Sequence, residues 1–244
     1  MWYNRLMDRD LVKILGFNVD TFTLEQAVDY AFANHGQIVT INPEMISTAN
    51  SLPEFASILN SAELVVPDGV GVELGLKILG YSVSRIAGIE LGKALIIKFS
   101  KENKSVAFVG SKQEIVEKAV ENLKLEIPEL NVVYQHDGFF DNNQSIIDEL
   151  VKSSPDLVLV ALGSPKQEFF INELKKFLPN AVMIGLGGSF DVWSGVVKRA
   201  PKIYQKLGLE WLYRTLKQPE RFKRIFPTLP LFVLKVFKER LFNK

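Results

Sequence analysis

The chain has 244 residues, which is long enough for one substantial core. Its composition, 47% hydrophobic and 23% charged, is ordinary for a folded globular protein. It contains no cysteine, which excludes disulfides, thiolate catalysis and cysteine-ligated zinc, and its two histidines show no metal-ligand spacing. The net charge of +1 hides a division, because residues 196–244 hold 13 Lys and Arg against 3 Asp and Glu, whereas residues 1–195 hold 16 against 25.

Five apolar runs, each followed by a turn and a helical pattern, recur along the chain. They are Gln37–Asn42, Ala62–Gly69, Ser105–Gly110, Asp156–Gly163 and Ala181–Gly188. Strands that are apolar throughout and alternate with helices indicate a parallel sheet covered on both faces. The sequence therefore predicts an α/β fold over residues 1–200, with a Rossmann-like, mostly parallel sheet and helices on both faces, and a basic helical C-terminal appendage over residues 201–244.

Polar residues follow the first two apolar runs, where such sheets bind their ligands at the carboxyl ends of the strands. Thr40 and Asn42 end the first run, and Asp68 ends the second in the sequence Val-Pro-Asp-Gly. A carboxylate at the mouth of such a cleft can act as a general base, although Asp-Gly is also a common turn dipeptide. From this pattern alone both interpretations of Asp68 stay open.

The turn after the fourth run has the sequence Gly-Ser-Pro-Lys-Gln. Ser164 is predicted to cap the next helix and Pro165 to lie in its first turn, so that the helix N–H groups and Lys166 would favour an anion. A well-capped helix without a ligand would explain Ser164 and Pro165 equally well. It would not explain Gln167, whose side chain could reach a sugar or a base.

The fifth run ends in a glycine-rich loop that leads to Asp191. Gly185, Gly187 and Gly188 would let backbone approach a ligand closely. The loop is a poor dinucleotide fingerprint, because the third glycine position is occupied by Phe190 and the match begins inside the strand. A nicotinamide-dependent dehydrogenase is therefore disfavoured.

The basic segment mixes cations with large apolar residues, which predicts a surface that meets phosphates or lipid headgroups. Arg214, Lys217, Arg221 and Arg224 would line one face of a continuous helix, but Pro219 favours two helices that meet at a bend. Arginine forks suit a diphosphate, and a merely solvated basic face is the alternative. The longest uncharged stretch of the tail, residues 225–234, is shorter than the roughly 20 residues that a membrane span needs.

Five segments, taken in this order, resemble the WecG/TagA/CpsF glycosyltransferases, family 26 of the glycosyltransferases. The matching segments are TINPEM (Thr40–Met45), VVPDGVGV (Val65–Val72), ALGSPKQE (Ala161–Glu168), GGSFDVWSGVVKRAP (Gly187–Pro201) and GLEWLYRTLKQPERFKR (Gly208–Arg224). They span most of the chain, and the last three are long and specific. One departure is Gly138–Phe140, where relatives can carry tyrosine, which puts a hydrogen bond to the nucleotide there in doubt.

The resemblance implies an inverting, metal-independent transfer of N-acetylmannosamine, or a related sugar, from a UDP-sugar to undecaprenyl-diphosphate-N-acetylglucosamine. The product would serve the synthesis of wall teichoic acid or another surface polymer. No cofactor, no metal and no nucleic-acid partner are expected, and a homo-oligomer is left open. The N-terminus shows no secretion signal, so the expected location is the cytoplasm, peripheral on the inner face of the cell membrane.

The same resemblance assigns roles to individual residues. Asp68 matches the family's proposed catalytic base and Thr40 an active-site threonine. The residues Asn42, Gln167 and Asp191 fall where the family holds the nucleotide-sugar. The residues Arg214, Arg221 and Arg224 match appendage arginines that would grip the lipid diphosphate. The alternative from another class is a non-catalytic anion-binding protein on the membrane surface, which would turn over no UDP-sugar.

Overall fold

The computed structural model of the protein describes residues 9–206, 208–217 and 222–242. Within them the chain forms eight strands and twelve helices. The strands are β1 (Leu11–Ile14), β2 (Phe17–Asp20), β3 (Gly36–Ile41), β4 (Leu64–Pro67), β5 (Ser105–Gly110), β6 (Asn131–His136), β7 (Leu157–Ala161) and β8 (Val182–Gly185). The helices are α1 (Leu24–Asn34), α2 (Pro43–Ala49), α3 (Pro53–Asn60), α4 (Gly69–Leu79), α5 (Gly88–Lys101), α6 (Gln113–Glu126), α7 (Asn143–Ser153), α8 (Lys166–Leu174), α9 (Ser189–Trp193), α10 (Lys202–Lys206), α11 (Glu210–Lys217) and α12 (Phe222–Phe242).

Six strands form one sheet in the order β4-β3-β8-β7-β5-β6, and every neighbouring pair is parallel. The five predicted apolar runs became β3, β4, β5, β7 and β8. Strands β3 and β8 are neighbours in the sheet but not in sequence. After β3 the chain adds β4 on one side, and it later adds β8 on the other side of β3, directly after β7. This reversal opens a crevice at the carboxyl ends of β3 and β8, where ligands of open α/β sheets bind.

Successive side chains of the central strands enter different cores. In β7, Leu157 and Leu159 join the core on one face of the sheet, whereas Val158 and Val160 join a core on the other. Because side chains alternate across a strand, a strand covered on both faces must be apolar at every position. The predicted α/β class, with helices on both faces, is therefore confirmed.

The helices form one layer on each face of the sheet. Helices α1, α5, α6 and α9 contribute buried side chains to the first core. On the opposite face, α2, α3, α4 and α12 cover β3 and β4, and α7 and α8 cover β5, β7 and β8. Each layer buries the apolar face of its helices against the sheet, which is the main source of stability in such a fold.

Two elements of the structure were not predicted from the sequence. Strand β6 lies at the edge of the sheet, and its residues are alternately exposed and half-buried, so it lacks the apolar run that marks its neighbours. The hairpin of β1 and β2 turns at Leu15 and Gly16, which both have positive φ. Its buried Asp20 accepts a hydrogen bond from Val65 N at 2.8 Å and pairs with Arg9 at 2.7 Å, so the hairpin is anchored to the edge strand β4.

The C-terminal segment packs against the α/β layers. Helix α11 is described to Lys217 and α12 from Phe222, and the predicted bend at Pro219 lies outside the described residues. Phe232 and Val236 of α12 are 3% and 0% exposed. Gly75 of α4 allows the close approach, because a Cβ there would lie 3.1 Å from the Phe232 ring. Among the described residues, no helix combines the length and apolar character that a membrane crossing requires.

Candidate active site at the carboxyl edge of the sheet

A cavity of about 330 Å³ opens at the crevice between β3, β4 and β8. The sheet edge forms one side of it, and the segment that contains α11 and the start of α12 forms another. Its lining comprises Thr40, Asn42, Pro43, Glu44, Asp68, Gly69, Val70, Gly71, Arg85, Ala87, Gly88, Ile89, Leu186, Ser189, Gly208, Glu210, Trp211, Thr228 and Leu229. Three residues predicted from the sequence, Thr40, Asn42 and Asp68, therefore share one cavity.

Thr40 and Asn42 are placed by the end of β3. Thr40 faces the start of α5, where a Cβ added to Gly88 would lie 3.3 Å from the Thr40 hydroxyl oxygen. Asn42 is the N-cap of α2, and its Oδ1 accepts a hydrogen bond from Met45 N at 3.0 Å. Asn42 thus has a structural duty that the sequence analysis did not foresee, and it still lines the cavity.

Asp68 follows β4 and occupies the N-cap position of α4. Its backbone N–H donates to Ile41 O at 2.8 Å, which continues the pairing of β4 with β3 by one residue. The half-buried Asp68 side chain makes no capping hydrogen bond to α4. The turn that Asp-Gly suggested is therefore present, with φ of +77° at Gly69, and the carboxylate lines the cavity rather than closing that turn.

Two long helices begin at the cavity. Gly69 and Val70 start α4, and Gly88 and Ile89 start α5. Neither helix has a side-chain cap among the described residues. The first N–H groups of a helix carry partial positive charge, so both starts favour an anionic ligand in the cavity.

Arg85 is a cavity residue that the sequence analysis missed. Its guanidinium group donates to Gln205 O at 2.7 Å, so it joins the cavity to α10. The available signal was its position, since Arg85 is the sole charged residue between Lys77 and Glu90. Periodicity gave no reason to select it, because the segment between α4 and α5 is irregular.

A second arginine ties the C-terminal segment to the same region. Arg199 bonds Glu90 of α5 at 2.6 Å and Glu210 of α11 at 3.3 Å. Glu210 and its neighbour Trp211 line the cavity, and both were missed although they lie in a quoted motif. Burial would lower the pKa of Arg199, but the two carboxylates raise it, so this arginine stays charged.

Gln167 and Asp191 are not among the residues that line the cavity. Gln167 is 5% exposed, and its Oε1 accepts from Gly187 N at 3.0 Å. The carboxylate of Asp191 approaches Gly188, where a Cβ would lie 3.6 Å from Oδ2. Both side chains therefore contact the loop between β8 and α9, whose Leu186 and Ser189 do line the cavity.

The expected capping by Ser164 is wrong. Helix α8 begins at Lys166, its N-cap is Pro165, and it has no side-chain cap hydrogen bond. The turn is closed instead by backbone, because Gln167 N donates to Gly163 O at 2.9 Å. Pro165 takes a helical conformation itself, which leaves Ser164 exposed in the turn before the helix.

The three appendage arginines cannot be located at the cavity. Arg221 lies outside the described residues. Arg214 and Arg224 lie in α11 and α12, but the structure describes only their backbone and not their side chains. The described residues also contain no group of three or more His, Cys, Asp or Glu placed to hold a metal ion. The predicted roles of these arginines and the predicted independence of metal stay predictions.

The fold and the cavity together define a Rossmann-like protein with a candidate ligand site at its topological switch point. Two helix starts and Arg85 at this cavity would favour phosphate-bearing substrates. Comparison with known families makes this specific. The model of the glycosyl transferase WecG/TagA/CpsF family matches residues 12–244. The chain belongs to this family, and it is a glycosyltransferase.

Two curated relatives cover most of the chain. One, from Bacillus spizizenii, is 39% identical over 220 residues, which are 89% of this chain and 85% of the relative. Another, from Bacillus subtilis, is 37% identical over 203 residues, which are 83% of this chain and 79% of the relative. Both are named N-acetylglucosaminyldiphosphoundecaprenol N-acetyl-beta-D-mannosaminyltransferase.

Proposed function

We propose that this enzyme transfers N-acetylmannosamine from UDP-N-acetylmannosamine to N-acetylglucosamine on undecaprenyl diphosphate, with inversion at the transferred sugar carbon. The names of both relatives support the transferred sugar and the acceptor. The observation that carries the proposal is the placement of Asp68 and Thr40 in one cavity beside the starts of α4 and α5.

Asp68 is the proposed general base. As the acceptor hydroxyl oxygen attacks the sugar carbon, the Asp68 carboxylate takes the hydroxyl proton, and the bond from that carbon to the UDP oxygen breaks on the opposite side. Its place in the lining of the cavity, at the start of α4, supports this role. Thr40, on the adjacent strand, is proposed to orient the sugar or its diphosphate.

The departing UDP carries the charge that develops in the transition state. Donors fixed before the reaction stabilise such charge most effectively. The N–H groups at the starts of α4 and α5 and the guanidinium group of Arg85 are proposed to supply them. The arginines Arg214, Arg221 and Arg224 are proposed to bind the diphosphate of the lipid acceptor, as bidentate arginines do.

The exposed side of α12 supports a location at the membrane surface. Large apolar side chains face outward at Leu231, Leu234, Phe237 and Leu241, which are 50% to 71% exposed. The exposed cations Lys235, Lys238 and Arg240 accompany them. A helix of this kind lies in the headgroup layer with its apolar residues inserted, so we propose peripheral binding to the inner membrane face, where the lipid acceptor would be reached.

A transfer assay tests the proposed reaction. The full chain is incubated with UDP-N-acetylmannosamine and a short-chain lipid diphosphate–N-acetylglucosamine in EDTA, and products are measured by mass spectrometry. A disaccharide-lipid that requires both substrates is the expected result. Absence of product in EDTA, with product after Mg²⁺ is added, would contradict the metal-independent mechanism. Absence of product in both, with UDP still bound, would contradict the proposed sugar or acceptor.

A further inference from the structure

A chain of buried polar groups lies beneath the loop between β8 and α9. Gln167 is 5% exposed and Glu168 is 3% exposed, although both begin the same helix. Polar side chains at this depth are costly unless their hydrogen bonds are satisfied within the protein. Their partners therefore indicate why the chain keeps them there.

The hydrogen bonds run in one direction, from the loop to the acid. Gly187 N donates to Gln167 Oε1 at 3.0 Å, and Gln167 Nε2 donates to Glu168 Oε1 at 2.7 Å. A backbone N–H can only donate, so the oxygen of the Gln167 amide must face Gly187. Its nitrogen must then face Glu168, which has to accept. Rotating the amide by half a turn would break both bonds.

The space around the amide holds it in the same place. A Cβ added to Gly185 would lie 2.4 Å from Gln167 Nε2, a separation that real atoms do not tolerate. The missing side chain of Gly185 therefore makes room for Gln167, and the close approach predicted there for a ligand is made by this side chain. The amide is confined between Gly185 on one side and the Glu168 carboxyl group on the other.

The Glu168 carboxyl group is buried beside the Gln167 amide. Burial raises the pKa of its carboxyl group, and the opposing hydrogen bonds from Gln167 and Ser164 do not offset that. In the part of the chain that the structure describes, Oε2 has no hydrogen-bond partner, which is consistent with Oε1 being the accepting atom.

The loop that these groups hold forms part of the cavity wall. Leu186 and Ser189 line the cavity on either side of Gly187 and Gly188. Leu186 is fixed separately, because its N–H donates to Val160 O at 2.7 Å. Gly187 has a φ of +47°. Among the described residues, the side-chain hydrogen bond that holds Gly187 in this conformation is the one from its N–H to Gln167 Oε1.

We propose that Glu168 is a positioning residue: its Oε1 orients the Gln167 amide, which holds Gly187 and so shapes the wall of the cavity that receives the nucleotide-sugar donor. The proposal rests on the proposed function for the identity of the donor. In this proposal Gln167 acts on the donor site by holding the backbone of the loop between β8 and α9.

Three variants of the full chain test this relay. Glu168→Met has similar volume and removes the acceptor, whereas Glu168→Gln keeps a carbonyl oxygen for Gln167. Gln37→Met is the matched control, because Gln37 is 0% exposed and the described hydrogen bond of its side chain goes to the backbone oxygen of Glu168, at 3.5 Å. Exchange of the Gly187 amide hydrogen is measured by NMR against Leu186, together with UDP affinity and the donor KM and kcat.

In Glu168→Met the Gly187 amide hydrogen should exchange about tenfold faster, since one buried hydrogen bond is lost. The UDP dissociation constant and the donor KM should each rise by about tenfold, and kcat should change less. Glu168→Gln should restore all three values, and Gln37→Met should leave them near wild type. Equal losses in both Glu168 variants, or faster Gly187 exchange with unchanged UDP affinity, would overturn the proposal. A wild-type enzyme that neither binds UDP nor transfers sugar would overturn the proposed function, while Gly187 exchange would still decide the relay.

Discussion

At the residue scale, the two residues that follow β3 and β4 in the candidate site differ in helix capping. Asp68 occupies an N-cap position without capping its helix, whereas Asn42, in the equivalent position after the neighbouring strand, does cap its own. Two strand-end residues that look alike in the sequence therefore differ in the structure. The difference leaves the Asp68 carboxylate at the cavity, where a proton can be taken from a substrate.

Replacing Asp68 by asparagine is expected to lower kcat by about 10²- to 10⁴-fold, because the amide cannot accept the proton of the acceptor hydroxyl. UDP binding, measured by calorimetry, should change little, since the base acts on the other substrate. Glu44→Gln is the control, because Glu44 is another carboxylate of the same cavity with no assigned proton transfer. A kcat of Asp68→Asn within threefold of the wild-type value would contradict the assignment of Asp68 as the general base.

The sequence predicted the residues that directly follow strands, but not those that reach the cavity from elsewhere. Thr40, Asn42 and Asp68 could be found because parallel strands end at a common edge. Arg85 could not, since it enters from an irregular segment after α4. Gln167 was selected because helix capping did not explain it, but its bond to Gly187, 20 residues further on, required the fold.

At the scale of the elements, hydrogen bonds to one carboxylate join the starts of two neighbouring strands. Asp156, just before β7, accepts from the N–H and the hydroxyl of Ser105, both at 2.8 Å, at the start of β5. Burial raises the pKa of Asp156, but these bonds and that from Lys104 outweigh it, so the pKa lies below the ordinary value. The ionised form is therefore the one that stabilises the fold.

Asp156→Asn is expected to lower the free energy of unfolding at pH 7 by about 1 kcal/mol or somewhat more, because charge-assisted hydrogen bonds are lost. Since the folded pKa is depressed, this stabilisation is fully present above about pH 4, the ordinary aspartate value, and disappears as the pH falls through the folded pKa. Urea unfolding at pH 7, 5, 4 and 3 measures the difference between the two proteins. A difference that stays constant over this range would contradict the assignment.

Helix α12 offers a test that uses two phenylalanines of one element. Phe232→Ala should cost about 3 kcal/mol or more, because the ring is buried against Gly75 of α4. Phe237→Ala, on the 50% exposed side, should change the free energy of unfolding by less than about 0.5 kcal/mol. Urea unfolding of both variants gives the comparison. Equal costs would mean that α12 does not dock as described.

The elements that the sequence predicted well are those with buried surroundings on both faces. Strands β7 and β8 are apolar at every position, and β5 is apolar at every position after Ser105, so burial alone identifies them. Strand β6 and the β1–β2 hairpin were missed because an edge strand needs little burial and a short hairpin is fixed by its tertiary contacts. The predicted bend at Pro219 lies outside the described residues and stays a prediction.

At the scale of the whole molecule, charge and apolar surface coincide at the C-terminus. The exposed Leu and Phe side chains of α12 and its exposed cations belong to the same helix. Attraction between cations and anionic headgroups is screened by salt, whereas apolar insertion is not. The two contributions can therefore be separated by experiment.

Binding of the full chain to vesicles with anionic lipid is expected to weaken several-fold as salt rises from about 0.05 M to about 0.5 M, because the Debye length shortens. Phe237→Ala should weaken binding at every salt concentration, since it removes apolar area without changing charge. Vesicle flotation measures both effects. If binding neither weakens with salt nor weakens in Phe237→Ala, the exposed side of α12 is not the membrane-binding surface.

The docking of α12 also has a consequence for how the protein is made. Glu239 accepts a hydrogen bond from Leu15 N across 224 positions of sequence, and Phe232 fills the surface of α4 from the far end of the chain. A ribosome releases the N-terminal part first, so β1, β2 and α4 emerge while their covering helix has not been synthesised. The apolar surface of α4 that packs against Phe232 stays uncovered until α12 has been synthesised. The segment proposed to meet the membrane is thus also the one that completes the core, and nascent chains that stop before residue 232 should be the ones that chaperones retain.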